Sequence, residues 1–148
     1  MKVGGTTFKM GGFIKMTANS SWFSDGESYN STALKELWRP ANVPLKTARN
    51  VQDFSVSARQ TRFFFSSETP VGDKVLKGHL EFDMATSADS GSEVFTNAYN
   101  PGLRRAFVSY GEWLIGQEWS NFIYLPAFAE STDYIGTTAG AVFNRQAQ

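Results

Sequence analysis

The chain has 148 residues, 14 basic against 14 acidic side chains, one histidine and no cysteine. That is one domain's worth of chain with no excess positive charge to seek nucleic acid, no disulfide scaffold, no thiolate zinc site and no redox CxxC pair, and His79 alone is available to any histidine-based catalysis. Phe outnumbers Leu by 13 to 8 and aromatics make up 15% of the chain, a composition of pleated sheet more than of helical core.

Thr6 to Thr17 alternates, with Phe8, Met10, Gly12, Ile14 and Met16 on one parity and Lys9, Phe13 and Lys15 on the other, and predicts a strand of about a dozen residues. No stretch reaches the roughly 18 apolar residues of a transmembrane helix. Met1 to Met16 lacks the charged, apolar and small-residue parts of a signal peptide, so either the protein stays inside or its leader is missing. From Trp22 to Asn50 periodicity is lost among Ser, Asn, Asp, Gly and two prolines, which reads as a long loop with a helix-like stretch at Thr32 to Arg39 that Pro40 ends.

A second strand runs from about Phe54 to Ser66, and Glu68 to Asp73 supplies tight-turn chemistry. In the third strand Leu76, Leu80, Phe82 and Met84 alternate with Val75, Lys77, His79, Glu81 and Asp83, the clearest amphipathic pattern in the chain. The polar stretch Ala85 to Gly102 leads to a fourth strand, Leu103 to Tyr110, which turns at Gly111-Glu112 into a fifth, Trp113 to Trp119. A long connection from Ser120 to Gly140 carries an aromatic and acidic run, and Ala141 to Gln148 begins to alternate again.

Six strands therefore alternate long, short, long, short and long connections, the asymmetry of outer-membrane barrels with their short periplasmic turns and long outer loops. Spanning strands need about 9 to 11 residues, longer than the usual soluble strand, and these segments agree. Trp22, Phe65, Tyr110, Trp113 and Trp119 fall near predicted strand ends, where an aromatic girdle places them. Aromatics there are also ordinary packing in any β protein.

Ser57-Ala58-Arg59-Gln60-Thr61-Arg62-Phe63, Leu103 to Gly111, Trp113 to Phe122 and the closing Phe143 to Gln148 resemble, in order, the DcaP-like porins of Gram-negative outer membranes. The resemblance covers about the C-terminal two thirds; Met1 to Gln52 match only as a first strand and a variable loop. It implies an all-β fold, an antiparallel transmembrane β-barrel of about sixteen strands, of which residues 1–148 supply about the first six as a single incomplete domain. It further implies a homotrimer in bacterial outer-membrane lipid, a third outer loop (120–140) folded into the pore as its constriction, and passive uptake of small hydrophilic, often anionic solutes. No cofactor and no catalysis are implied.

Leu125-Pro126-Ala127-Phe128 looks like the constriction motif of general porins, although Ala127 and Ala129 stand where acidic and glycine residues are more typical. The chain ends in Gln148 instead of a terminal aromatic, and six strands cannot close a barrel, so the expectation is a fragment whose working unit includes further sequence.

With Leu76, Leu80, Phe82 and Met84 facing lipid, parity sends Lys77, His79, Glu81 and Asp83 to the lumen, and Lys9 and Lys15 likewise. Arg62 precedes outward Phe63 and Phe65 and so points inward; Arg145 joins it beside Phe143. Of Arg104 and Arg105 parity admits only one to the lumen, and Arg105 is favoured because it leaves Ala106, Val108 and Tyr110 outward. Arg62, Arg105 and Arg145 then line one wall opposite Glu130 and Asp133 on the inserted loop, and such opposed charge rows select solutes by charge and size. Arg59 falls on the lipid parity, where a bulge or an ion pair at a subunit interface accommodates it.

Other constellations are weaker. His79 among Lys77, Glu81 and Asp83 reads as a solvated residue rather than a metal or proton site. Asp83, Asp89 and Glu93 lack the spacing of a calcium loop, and the Asn19 and Asn30 sequons mean little in a bacterial-looking chain. The rival class is a soluble β-sandwich carbohydrate-binding module with Trp and Tyr platforms; a glycosidase using Glu81 and Asp83 ranks third. A face apolar over about 25 Å separates lipid from water.

Overall fold

The computed structural model describes residues 1–23, 50–85, 100–127 and 144–148. The helix-like stretch at Thr32 to Arg39 and the acidic positions Asp89, Glu93, Glu130 and Asp133 lie outside the described residues.

Among the described residues nine strands form: β1 (Lys2–Val3), β2 (Thr6–Phe13), β3 (Thr17–Phe23), β4 (Val51–Ser57), β5 (Arg62–Val71), β6 (Lys74–Asp83), β7 (Gly102–Tyr110), β8 (Trp113–Trp119) and β9 (Arg145–Ala147). Seven make one antiparallel sheet in the order β1-β2-β5-β6-β7-β8-β9, and β3 pairs with β4 as a separate two-stranded ribbon. Strands β6, β7 and β8 fall where alternation places them. Strands β5 and β6 turn at Gly72-Asp73 and β7 and β8 at Gly111-Glu112, each turn opened by a glycine at positive φ (62° and 58°), the conformation two-residue hairpins demand. The fold is all-β, and each strand touches chiefly its ladder neighbours, so among the described residues no second sheet packs against the first. A sandwich needs such a layer, and the soluble module loses its main support.

Three expectations change. The strand expected over Thr6 to Thr17 stops at Phe13, and a new strand, β3, takes up part of the stretch read as loop. The strand expected over Phe54 to Ser66 divides into β4 and β5. The cause is one slip: Phe13 pairs with Arg62 and Thr17 with Ser57, so residues 14–16 face residues 58–61, three against four. The third change is β1, which folds onto β2 through Gly4-Gly5, both at positive φ (55° and 85°).

Side chains divide by face. Register puts Met10, Phe65, Leu80 and Ala106 in one cross-strand row, and Phe8, Ser67, Gly78, Val108 and Ile115 in the next. The large residues of these rows are exposed, with Met10 at 75% and Ile115 at 71%. Leu76 to Phe82 alone extends this apolar face about 20 Å along β6. Among the described residues Ala85 is the only buried hydrophobic, whereas Arg59, Gln60, Glu81, Asp83 and Arg104 are buried. Burial is inverted relative to a protein folded in water.

Candidate functional site

The opposite face carries Lys9 on β2, Arg62, Phe64, Ser66 and Glu68 on β5, Lys77, His79, Glu81 and Asp83 on β6, and Arg105, Phe107 and Ser109 on β7. Its centre is built by a bulge. Glu81 pairs with Arg105 but Phe82 pairs with Leu103, so Arg104 is an extra residue in β7. At a bulge two consecutive residues oppose one partner and both turn to the same side. The expectation that only one of Arg104 and Arg105 shares the face of Glu81 is therefore corrected: both do.

Arg104 donates from Nε to Glu81 Oε1 (2.8 Å) and from NH1 to Asp83 Oδ2 (2.7 Å). Arg105 forks onto Glu118 with two bonds of 2.6 Å and reaches Glu81 Oε2 at 3.4 Å. Arg62 lies 3.8 Å from Glu81 and 3.6 Å from Asp83. Planar guanidiniums meeting carboxylates two bonds at a time hold both groups rigidly. Asp83 Oδ1 also accepts the Ala85 N–H (3.1 Å), and Gln117 Nε2 donates to the Arg104 carbonyl (2.9 Å), satisfying backbone at the bulge.

Depth is layered. The carboxylates lie beneath, with side-chain exposures of 9% for Glu81, 0% for Asp83 and 12% for Glu118, while Arg62 and Arg105 keep 26% and 25%. Three carboxylates balance three guanidiniums in this cluster, yet its most exposed members are cationic. Arg62 stacks over Phe13 (5.3 Å) and Arg105 over Phe107 (5.4 Å), which fixes their planes. His79 stacks between Phe64 (5.8 Å) and Phe107 (5.3 Å), and its Nε2 lies 3.7 Å from Glu81 Oε2.

The structure thus brings Arg62, His79, Glu81 and Arg105 together on one face, and it adds Arg104 and Glu118, which strand parity does not bring in. Glu118 was findable: the two-residue turn makes Tyr110 and Trp113 partners, and five steps along each strand stand Arg105 and Glu118. Lys77 lies on the same face, paired in register with Glu68 and Ser109. Lys15 lies in the break after β2, its backbone bonded to the Thr61 hydroxyl (3.3 Å), so strand parity does not orient it. Arg145 stacks on Trp119 (4.9 Å), whose ring also neighbours Arg104 (5.9 Å). Arg59 does not lie on a lipid-facing strand parity: it is buried in the break between β4 and β5, and its carbonyl accepts the Met84 N–H (3.2 Å). Of the 120–140 connection, Leu125–Ala127 forms a 3-10 turn.

No protein-family model matches the chain, and a search of curated proteins finds no match. Among solved structures it is similar to the outer membrane channel DcaP of Acinetobacter baumannii, with a TM-score of 0.66 and 24% identity over 99% of this chain. The chain spans 37% of the length of that channel. The fold is thus that of part of an outer-membrane β-barrel wall.

Proposed function

We propose that the chain forms part of an outer-membrane porin through which small hydrophilic solutes, preferentially anionic ones, diffuse passively. The observation that carries this reading is the inversion of burial: among the described residues large apolar side chains cover one face of a single-layered sheet, and the buried side chains are polar or charged apart from Ala85. Such a sheet suits lipid on one side and water on the other. Its edges at β1 and β9 then pair with further strands, because unpaired edge amides are costly in lipid.

In this reading the polar face lines the lumen, and Arg62 and Arg105, outermost over their carboxylates, attract and orient anions. Lys77 and His79 extend that wall, and Arg145 and Lys15 contribute from its ends. The working assembly is a homotrimer in the bacterial outer membrane, and solutes pass without bonds being made or broken.

The test is planar-bilayer recording across a potassium chloride gradient. Replacing Arg62 and Arg105 together by glutamine lowers the chloride-to-potassium permeability ratio; an unchanged reversal potential would sink the assignment of these arginines.

A further inference from the structure

Within the charged cluster one carboxylate has an unusual position. Glu81 Oε1 faces Arg104 (2.8 Å) and Arg62 (3.8 Å), while Oε2 faces Arg105 (3.4 Å) and His79 (3.7 Å). Three strands deliver these groups: Arg62 from β5, His79 from β6 itself, and Arg104 with Arg105 from β7 by virtue of the bulge. All three guanidiniums of the cluster thus lie within 4 Å of the Glu81 carboxylate.

We propose that Glu81 is a specificity-determining residue of this face, setting how much positive potential the arginines present to a passing solute; the inference rests on the porin reading. The neighbouring carboxylates are tied differently. Asp83 is fully buried and held by Arg104 and the Ala85 N–H, and Glu118 takes the Arg105 fork together with the Trp119 N–H (2.7 Å). Neutralising Glu81 therefore leaves Arg104 its bond to Asp83 and Arg105 its fork to Glu118, so the wall keeps its fastening. What changes is charge: one negative charge leaves from beneath two part-exposed guanidiniums, and the field they cast into a water-filled lumen grows. Asp83 is the weaker lever: of the guanidiniums beside it Arg104 is buried and only Arg62, at 3.6 Å, is part-exposed, whereas Glu81 meets both part-exposed ones, Arg62 and Arg105.

The experiment measures reversal potentials of the full protein in planar bilayers under a potassium chloride gradient. Glu81→Gln is expected to raise the chloride-to-potassium permeability ratio roughly twofold or more. Adding Arg62→Gln to it brings the ratio back toward that of the unaltered protein. An unchanged or lower ratio in Glu81→Gln overturns the inference. Should that variant fail to assemble, the double variant read against Arg62→Gln alone decides: a higher ratio in the double supports the inference, and equal ratios overturn it. A conducting parent protein with an unmoved ratio refutes only the role of Glu81, whereas a parent that forms no channel refutes the porin reading and this inference with it.

Discussion

Strand β6 carries two opposite surfaces on alternate residues. On one, Leu76 and Leu80 are exposed and Phe82 is half-buried against Phe63 and Phe65; on the other, Glu81 and Asp83 are buried beneath arginines from the adjacent strands. In a soluble sheet the apolar set would be the covered one. The difference teaches that the faces are held by different forces. The polar face is cross-braced by ion pairs from β5 to β8, and the apolar face, with no packing layer among the described residues, draws its stability from the medium it meets.

The largest break in that contrast is Arg104→Ala. Arg104 is 2% exposed and bridges Glu81 to Asp83, and removing one partner of a buried pair costs about 3–5 kcal/mol because the remaining charge loses its compensation. Denaturant unfolding of protein refolded in lipid vesicles measures it. A loss below about 1 kcal/mol, the range of a surface pair, would mean that the cluster is not a brace.

Next in size is Leu80→Arg, which puts a cation on the apolar face near mid-strand. On a lipid-facing barrel strand this costs about 2–4 kcal/mol in the same unfolding measurement. A face bathed in water tolerates the change within roughly 0.5 kcal/mol, and that result would reverse the assignment of the two faces.

The same contrast shows what sequence makes legible. Where apolar residues keep one phase, as from Leu76 to Phe82, a strand and both its faces can be read directly, and β8 begins and ends at Trp113 and Trp119 as its alternation indicates. Where phase slips, reading fails, yet the slip is itself visible. Leu103 and Val108 are both exposed on the apolar face although they stand five positions apart, an odd interval that only an extra residue between them permits. That residue is Arg104. Val56 and Phe63 are likewise both exposed at an odd interval, seven positions apart, and the break at 58–61 lies between them. Extending one parity through these points placed Arg59 on a lipid face and excluded Arg104 from the cluster. Strand β3 was hidden for another reason: Ala18-Asn19-Ser20-Ser21 has no apolar alternation, and its pairing with β4 rests on ladder bonds to which side-chain pattern gives no clue.

The smallest effect sharpens the comparison within the polar face itself. Lys9 Nζ meets Glu68 Oε1 at 3.0 Å, a distance close to those of the Arg104 pairs, but the side chains are 56% and 40% exposed. Distance being nearly equal, depth decides. Water and salt reach the Lys9 pair, so a double-mutant cycle on Lys9 and Glu68 should give about 0.2–1 kcal/mol. That coupling should fade at 1 M salt, where screening acts over about 3 Å, whereas the loss in Arg104→Ala should persist because its partners are sheltered. A Lys9–Glu68 coupling above roughly 2 kcal/mol that ignores salt would instead place this pair out of reach of mobile ions. The wetted part of the polar face would then stop short of β2, and the solute path would be confined to the strands that carry Arg62 and Arg105.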